Sequence, residues 1–144
     1  MSTNTDTLDI INNASAASGR ETLVNADGDC MLDCFLNLGE IMLRAGAEVN
    51  RVEDTIRRIG HAYDCKRVEI FTINNMISLT VITHDDKVFT QTRRVSVAAV
   101  DLEKVARANE LSRQICKIPV SLDELRARIT DIAEKTRHYG KRMR

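Results

Sequence analysis

An arginine and a glutamate, Arg51 and Glu53, follow Gly46 at the break between two amphipathic stretches of the sequence. An arginine at a helix start can bind an anion, because the free N–H groups there attract negative charge and the guanidinium adds paired donors. Residues two apart on a helix point about 200° away from each other, so Arg51 and Glu53 do not form a catalytic pair. Capping explains the spacing without a ligand, with Asn50 beginning the helix and Glu53 bonding back to the Asn50 amide. In that interpretation Arg51 bridges to a carboxylate elsewhere.

Two adjacent arginines, Arg93 and Arg94, end a predicted strand. Alternation along a strand sends them to opposite faces of the sheet. A charged side chain at a sheet edge discourages pairing with another chain, which is the structural interpretation of one of them. The other can join Arg51 in a basic pocket.

Cysteine and histidine positions give little support to metal or covalent chemistry. Cys30 and Cys34 are one helical turn apart, and His61, Asp64 and Cys65 form a second group. A structural zinc site uses four ligands with paired spacing such as C-x-x-C, which is missing here. We therefore predict buried thiols, no metal, no cofactor and no catalytic residue. The sequence has no glycine-rich phosphate loop and no G-x-S-x-G or H-E-x-x-H motif, and a Cys–His hydrolase is the enzymatic alternative that stays open.

The composition indicates one globular domain. The chain has 144 residues, of which 43% are hydrophobic and 29% charged, so it can bury a core without disulfides or metals. Basic and acidic residues balance at 21 each and aromatic residues make up 3%, so we expect no nucleic-acid partner. Four cysteines are too few for a secreted disulfide scaffold, which favours a reducing cytosol. We find neither a signal peptide nor the run of about 20 apolar residues that a membrane helix needs.

Hydrophobic periodicity predicts two helices, three strands and two further helices, in that order. Helical spacing runs through 31–45 and 52–63, and Gly46 suits the left-handed residue that ends the first helix. Stretches rich in Val, Ile, Thr and Phe predict the strands. These are Arg67–Ile73, Ile77–Thr83 and Lys87–Val95.

Capping residues define the last two helices. Asp101 caps the third helix, Pro119 ends it, and Ser121 with Glu124 forms a capping box for the fourth. Strands that cluster between helix pairs predict an α+β fold. We expect a helix pair, a three-stranded antiparallel meander and a helix pair, with the helices packed on one sheet face.

Polar and basic segments flank the predicted domain. Residues 1–28 are rich in Ser, Thr, Asn and Ala and read as a flexible N-terminal arm. The α+β domain covers 29–138, and 139–144 form a basic tail. From residue 126 onward the sequence has two acidic and seven basic residues. The basic residues are Arg126, Arg128, Lys135, Arg137, Lys141, Arg142 and Arg144. Such a cluster is either a solvated helix face or a juxtamembrane end.

Several short motifs, in their order and spacing, resemble the N-terminal domain of the threonine/serine exporter family. The stretch 38–53 has that family's helix, Gly-Ala break and Arg-Val-Glu helix start. The segment 77–79 resembles its Ser-containing strand, and 90–95 resembles its Thr-x-Thr-Arg-Arg segment. The residues from Asp101 to Lys104 and from Pro119 to Leu122 match the following helix and turn. The resemblance covers about residues 30–140.

The resemblance implies a soluble domain at the cytoplasmic face of the cell membrane. In that family the domain accompanies a multi-helix membrane domain, in the same or a partner subunit, that exports threonine, serine or other small metabolites. We expect a regulatory or assembly role with possible ligand sensing, a homo-oligomer and no enzymatic activity. A hydrolase-like enzyme domain and a pure oligomerisation module are the alternatives.

The polar residues of the shared motifs define a candidate site for a small amino-acid or carboxylate ligand. Arg51 with Arg93 or Arg94 would hold a carboxylate, and Ser78 or Thr92 would hydrogen-bond an amine or hydroxyl. The candidate binding residues are Arg51, Glu53, Ser78, Thr92, Arg93 and Arg94.

Overall fold

The computed structural model describes residues 28–96 and 98–142, so the predicted arm, apart from Gly28, lies outside the described residues. The elements are α1 (28–44), α2 (Val49–Ala62), β1 (Arg67–Ile73), β2 (Met76–Ile82), β3 (Val88–Arg94), α3 (Leu102–Lys117) and α4 (Leu122–Arg142). The predicted α+β order of helix pair, meander and helix pair is confirmed. Helix α4 continues into the predicted basic tail as far as Arg142.

The three strands pair in chain order as an antiparallel sheet. Strand β2 begins one residue earlier than predicted, because Asn74 adopts a left-handed conformation (φ 50°) in a two-residue turn that pairs Ile73 with Met76. Strand β3 spans Val88–Arg94 and is one residue shorter at each end than the predicted Lys87–Val95.

Alternation along the strands gives the sheet a buried inner face and an open outer face. On β2, the inner residues Ile77, Leu79 and Val81 are at most 1% exposed. The outer face carries Ser78 and Thr80 in the middle of the same strand, both half-buried. The helices all lie on the inner side, as predicted.

Those helices form two layers. Helix α2 packs on β1, and α1 lies over β2 and β3. The outer pair, α3 and α4, packs on the first pair: the Tyr63 hydroxyl donates to the Val120 carbonyl at 2.8 Å, and the Cys34 thiol lies 3.9 Å from the Leu122 carbonyl. Helix α4 adds Leu125, Ile129 and Ile132 to the common core.

The corner between α1 and α2 is closed by backbone hydrogen bonds. Gly46 is left-handed (φ 91°) and donates to the Leu43 carbonyl at 3.1 Å, while Ala47 donates to the Met42 carbonyl at 3.0 Å. This pattern ends α1 at the predicted glycine. The predicted cap at Asn50 is wrong, because α2 begins at Val49 and its first turn has no side-chain cap.

The predicted cap of α3 is confirmed, because the Asp101 carboxylate accepts from the Lys104 N–H at 3.1 Å. Of the capping box predicted for α4, the Ser121 half forms: its hydroxyl accepts from the Glu124 N–H at 3.2 Å, while the Glu124 carboxylate accepts from Arg128 at 3.1 Å. Helix α3 ends at Lys117, two residues before Pro119. Within the described ranges, no helix combines the length and apolar character needed to cross a membrane.

Candidate functional site

A polar groove of about 420 Å³ lies between α2 and α3. Arg51 and Arg58 line it from α2, and they share one side of that helix because seven residues make almost two full turns. Asn109 and Arg113 line it from α3. A volume of about 300–1,000 Å³ is usual for small-molecule sites, so the groove is large enough for a small metabolite.

Two buried hydroxyl groups, those of Thr55 and Ser112, lie at the bottom of the groove. Each residue is only 5% exposed. The Thr55 hydroxyl donates to the Arg51 carbonyl at 2.8 Å, and the Ser112 hydroxyl donates to the Asn109 carbonyl at 2.8 Å. A hydroxyl has only one proton, and both protons are already donated to backbone carbonyls. Both oxygens can therefore only accept a hydrogen bond from a further partner. The bottom of the groove therefore favours a ligand that donates hydrogen bonds.

The arginines of the groove differ in whether they already form an ion pair. Arg113 pairs with Glu110 at 3.5 Å. Arg51 and Arg58 are exposed, and neither forms an ion pair with any residue in the described part of the chain. These two guanidinium groups are thus available to an incoming anion.

Two acidic residues, Glu48 and Asp54, also line the groove. Asp54 pairs with Arg57 at 3.3 Å, on the exposed side of α2. Glu48 precedes the first turn of α2, and its side chain accepts no capping hydrogen bond. The first N–H groups of α2 consequently have no side-chain partner, and the positive end of this helix adds to the attraction for an anion.

Three of the six predicted binding residues, Ser78, Thr92 and Arg94, lie on the outer face of the sheet. Ser78 and Thr92 are directly opposite each other, with their hydroxyl oxygens 3.5 Å apart. Arg94 is exposed and lies opposite Met76 at the end of the sheet. All four described helices cover the other face, so these residues do not join Arg51.

Arg93 points to the inner side and connects the sheet to α1. Its guanidinium donates to Asp33 at 2.9 Å, to Glu40 at 3.3 Å and to the Asn37 side-chain oxygen. Its side chain is 21% exposed. A guanidinium with three acceptors is already satisfied, so the structure does not form the predicted basic pocket of Arg51 with Arg93 or Arg94.

Glu53 is engaged within α2 itself. Its carboxylate lies 3.6 Å from the Arg57 guanidinium, one turn further along the helix. Its predicted bond to the Asn50 amide is not formed, because the helix begins before Asn50. Of the six predicted residues, only Arg51 lines the groove. Its neighbours there were not predicted as binding residues from the sequence; they are Thr55, Arg58, Asn109, Ser112 and Arg113.

The cysteines of the described residues are free thiols. Burial, with a smaller contribution from Asp64, raises the pKa of the Cys65 thiol to about 11. Burial and the neighbouring Cys30 likewise raise the pKa of Cys34, so both thiols stay protonated at neutral pH. Cys34 donates to the Leu122 carbonyl and Cys65 to the Met31 sulfur, while the Cys30 sulfur accepts from Arg126. None of these three sulfurs bonds to a histidine in the described ranges. Within the described ranges, no three metal-binding side chains cluster.

Comparison with known proteins identifies one family. A family model described as "Putative threonine/serine exporter" matches residues 33–144, which is 112 of the 144 residues. No curated protein and no solved structure matches the chain.

Proposed function

Because the chain belongs to the threonine/serine exporter family, we propose that this domain regulates the export of small amino acids or metabolites by binding a small ligand between α2 and α3. Its partner is the membrane domain of the same or another transporter subunit, and the domain lies at the cytoplasmic face of the membrane. Occupation of the groove reports the concentration of the ligand to the membrane domain.

The observation that carries this proposal is the pair of unengaged guanidinium groups, Arg51 and Arg58, above two buried hydroxyl oxygens. Arginines bind carboxylates with paired donors. The hydroxyl oxygens of Thr55 and Ser112 accept from an ammonium or hydroxyl group, since their own protons are taken by backbone carbonyls. A ligand with a carboxylate at one end and a donor at the other, such as a small amino acid, complements both parts.

Calorimetric titration with serine, threonine and small dicarboxylates tests this proposal. We expect the two amino acids to bind and the dicarboxylates to bind less tightly, because a second carboxylate faces acceptor oxygens in the groove. Replacing Arg51 or Arg58 with glutamine should weaken binding by about tenfold each, which is the loss of one hydrogen bond to a charged group.

Arg107→Gln is the matched control. Arg107 is a partly exposed arginine on α3, it pairs with Glu103 at 2.8 Å, and neither of these residues lines the groove. Its replacement should leave the affinity unchanged. A folded domain that gives no heat with any of these compounds, or an equal loss from the Arg107 and Arg51 variants, would contradict ligand sensing in the groove.

Self-association through the outer sheet face is the second candidate function. The outer sheet face is open, and Phe71 and Val88 on that face are 60% and 61% exposed. Apolar side chains on an open sheet are suited to association with a second copy. We therefore expect a homo-oligomer in light scattering, shifted toward the monomer by Phe71→Ser. A monomer at every concentration would contradict this role and leave the groove proposal unaffected.

A further inference from the structure

One end of the domain combines exposed apolar side chains from three separate connections of the chain. We call it the docking end and define it by Val49, Ile73, Met76, Val100 and Leu102. Val100 and Leu102 are 71% and 72% exposed, and the other three are between 42% and 49% exposed. Leaving five such side chains in water is unfavourable, so this end is a candidate for contact with an apolar partner.

Backbone hydrogen bonds hold these connections side by side. The segment after β3 donates from Val95 to the Asn75 carbonyl at 2.6 Å, which ties it to the β1–β2 turn. The same segment donates from Asp101 to the Ala45 carbonyl at 3.0 Å, which ties it to the corner between α1 and α2. The apolar side chains are therefore presented together on a fixed framework.

The docking end also carries three basic side chains. Arg44, Arg94 and Lys104 lie at this end, and none of them forms an ion pair with another residue of the described ranges. The acidic groups at this end are Glu48, Asp101, whose carboxylate caps α3, Glu103, which pairs with Arg107, and Glu134, which lines one cavity with Arg44 and Lys104. At the opposite end of the sheet the turns are acidic and their lysines are paired, as in the contacts of Lys66 with Asp86 and of Lys87 with Asp85.

The last helix returns to the docking end. Thr130 and Glu134 of α4 line a cavity together with Arg44 and Val100. The helix continues for eight more residues to Arg142, which is about 12 Å at 1.5 Å per residue. The sequence places Arg137, Lys141 and Arg142 on this last stretch without an acidic residue, and Lys135 at its start pairs with Asp131 at 3.0 Å.

We propose that the docking end binds the anionic surface of a lipid bilayer. Apolar side chains that enter the headgroup region, surrounded by arginines and lysines, are the combination that holds a protein at such a surface. A second copy of the chain fits less well, because a symmetric contact would bring the unpaired Arg44, Arg94 and Lys104 of two molecules together. The inference rests on the proposed position of the domain beside a membrane.

Sedimentation of the full chain with vesicles tests the proposal. Vesicles of equal parts phosphatidylcholine and phosphatidylglycerol should bind the chain, and vesicles of phosphatidylcholine alone should not. The double variant Val100→Ser, Leu102→Ser should reduce partitioning by at least about tenfold, since each side chain contributes apolar contact. Arg44→Gln combined with Lys104→Gln should reduce it similarly and weaken its dependence on salt.

Ile118→Ser and Lys117→Gln are the matched controls, because these residues lie at the far end of α3, where Ile118 is 75% exposed. Both controls should partition like the unchanged chain, and thermal unfolding confirms that every variant is folded. Three results would each overturn the proposal. The first is no binding of the chain to the anionic vesicles, and the second is a loss of binding in the controls equal to that in the docking-end variants. The third is self-association without lipid that the Val100 and Leu102 substitutions abolish. Calorimetry of the groove is independent of vesicles, so failure here and failure of ligand sensing are distinguishable.

Discussion

Replacing Arg93 with glutamine is expected to lower the free energy of unfolding by about 2 kcal/mol, measured by urea denaturation. The guanidinium of Arg93 connects β3 to Asp33, Asn37 and Glu40 of α1. Glutamine cannot reach all three acceptors. Glu40 would lose its charged partner, and Asp33 would keep only Arg126 at 3.8 Å. The estimate stays well below that for a fully buried pair, because Asp33 is 42% exposed and water solvates it in part.

Arg94 is the control that the chain itself provides. It is the next residue, it has the same side chain, and it lies exposed on the outer face without an ion pair in the described ranges. Arg94→Gln should change the free energy of unfolding by less than about 0.5 kcal/mol, as is usual for exposed positions. Equal effects of the two substitutions would show that the contacts of Arg93 with α1 do not stabilise the fold.

Replacing Gly60 with alanine is expected to lower the free energy of unfolding by about 1–2 kcal/mol, although helix propensity alone favours alanine by about 1 kcal/mol. A Cβ at Gly60 would lie 2.3 Å from a methyl group of Val68. Val68 is β-branched and belongs to β1, so neither its rotamer nor its backbone can move freely. Overpacking between α2 and β1 therefore outweighs the gain in propensity.

A double-mutant cycle isolates this contact. Val68→Ala removes the methyl group that meets the new Cβ, so the combined Gly60→Ala, Val68→Ala variant should be more stable than the sum of the two single effects by about 1 kcal/mol or more. Both single variants and the combined variant are compared at one temperature and pH. Additive effects in this cycle would place the cost of alanine somewhere other than the contact with Val68.

The periodicity of the sequence was sufficient to predict the fold. Strand β1 was predicted with its correct bounds, because its side chains alternate and polar turn residues flank it. The ends of α1 and α3 followed from Gly46 and Pro119, whose backbones restrict what can come next. The start of α2 was misjudged, because a helix can begin without a capping side chain and Glu48 provides none.

The groove was harder to predict because its residues come from two helices far apart in the sequence. Arg51 was singled out, but no local pattern shows that it faces Asn109 and Ser112 of α3. Thr55 gave a signal that could have been used. It lies three residues after Val52 and four before Ile59, on the apolar side of α2, so a buried hydroxyl was predictable. Arg93 and Arg94 lie on opposite faces of the sheet, as predicted. The sequence did not show which of them faces the helices, because that depends on the register of β3.

Helix α1 lies between the sheet and the outer helices, and this position has a consequence for the synthesis of the protein. The first described helix is covered on one side by strands made soon after it. Its other side is covered by α4, which contributes Leu125, Ile129 and Ile132 and is made after the other described elements. Until α4 leaves the ribosome, the apolar outer side of α1 stays in water, where it is open to aggregation or to a chaperone. Completion of the core thus depends on the same helix that returns to the docking end.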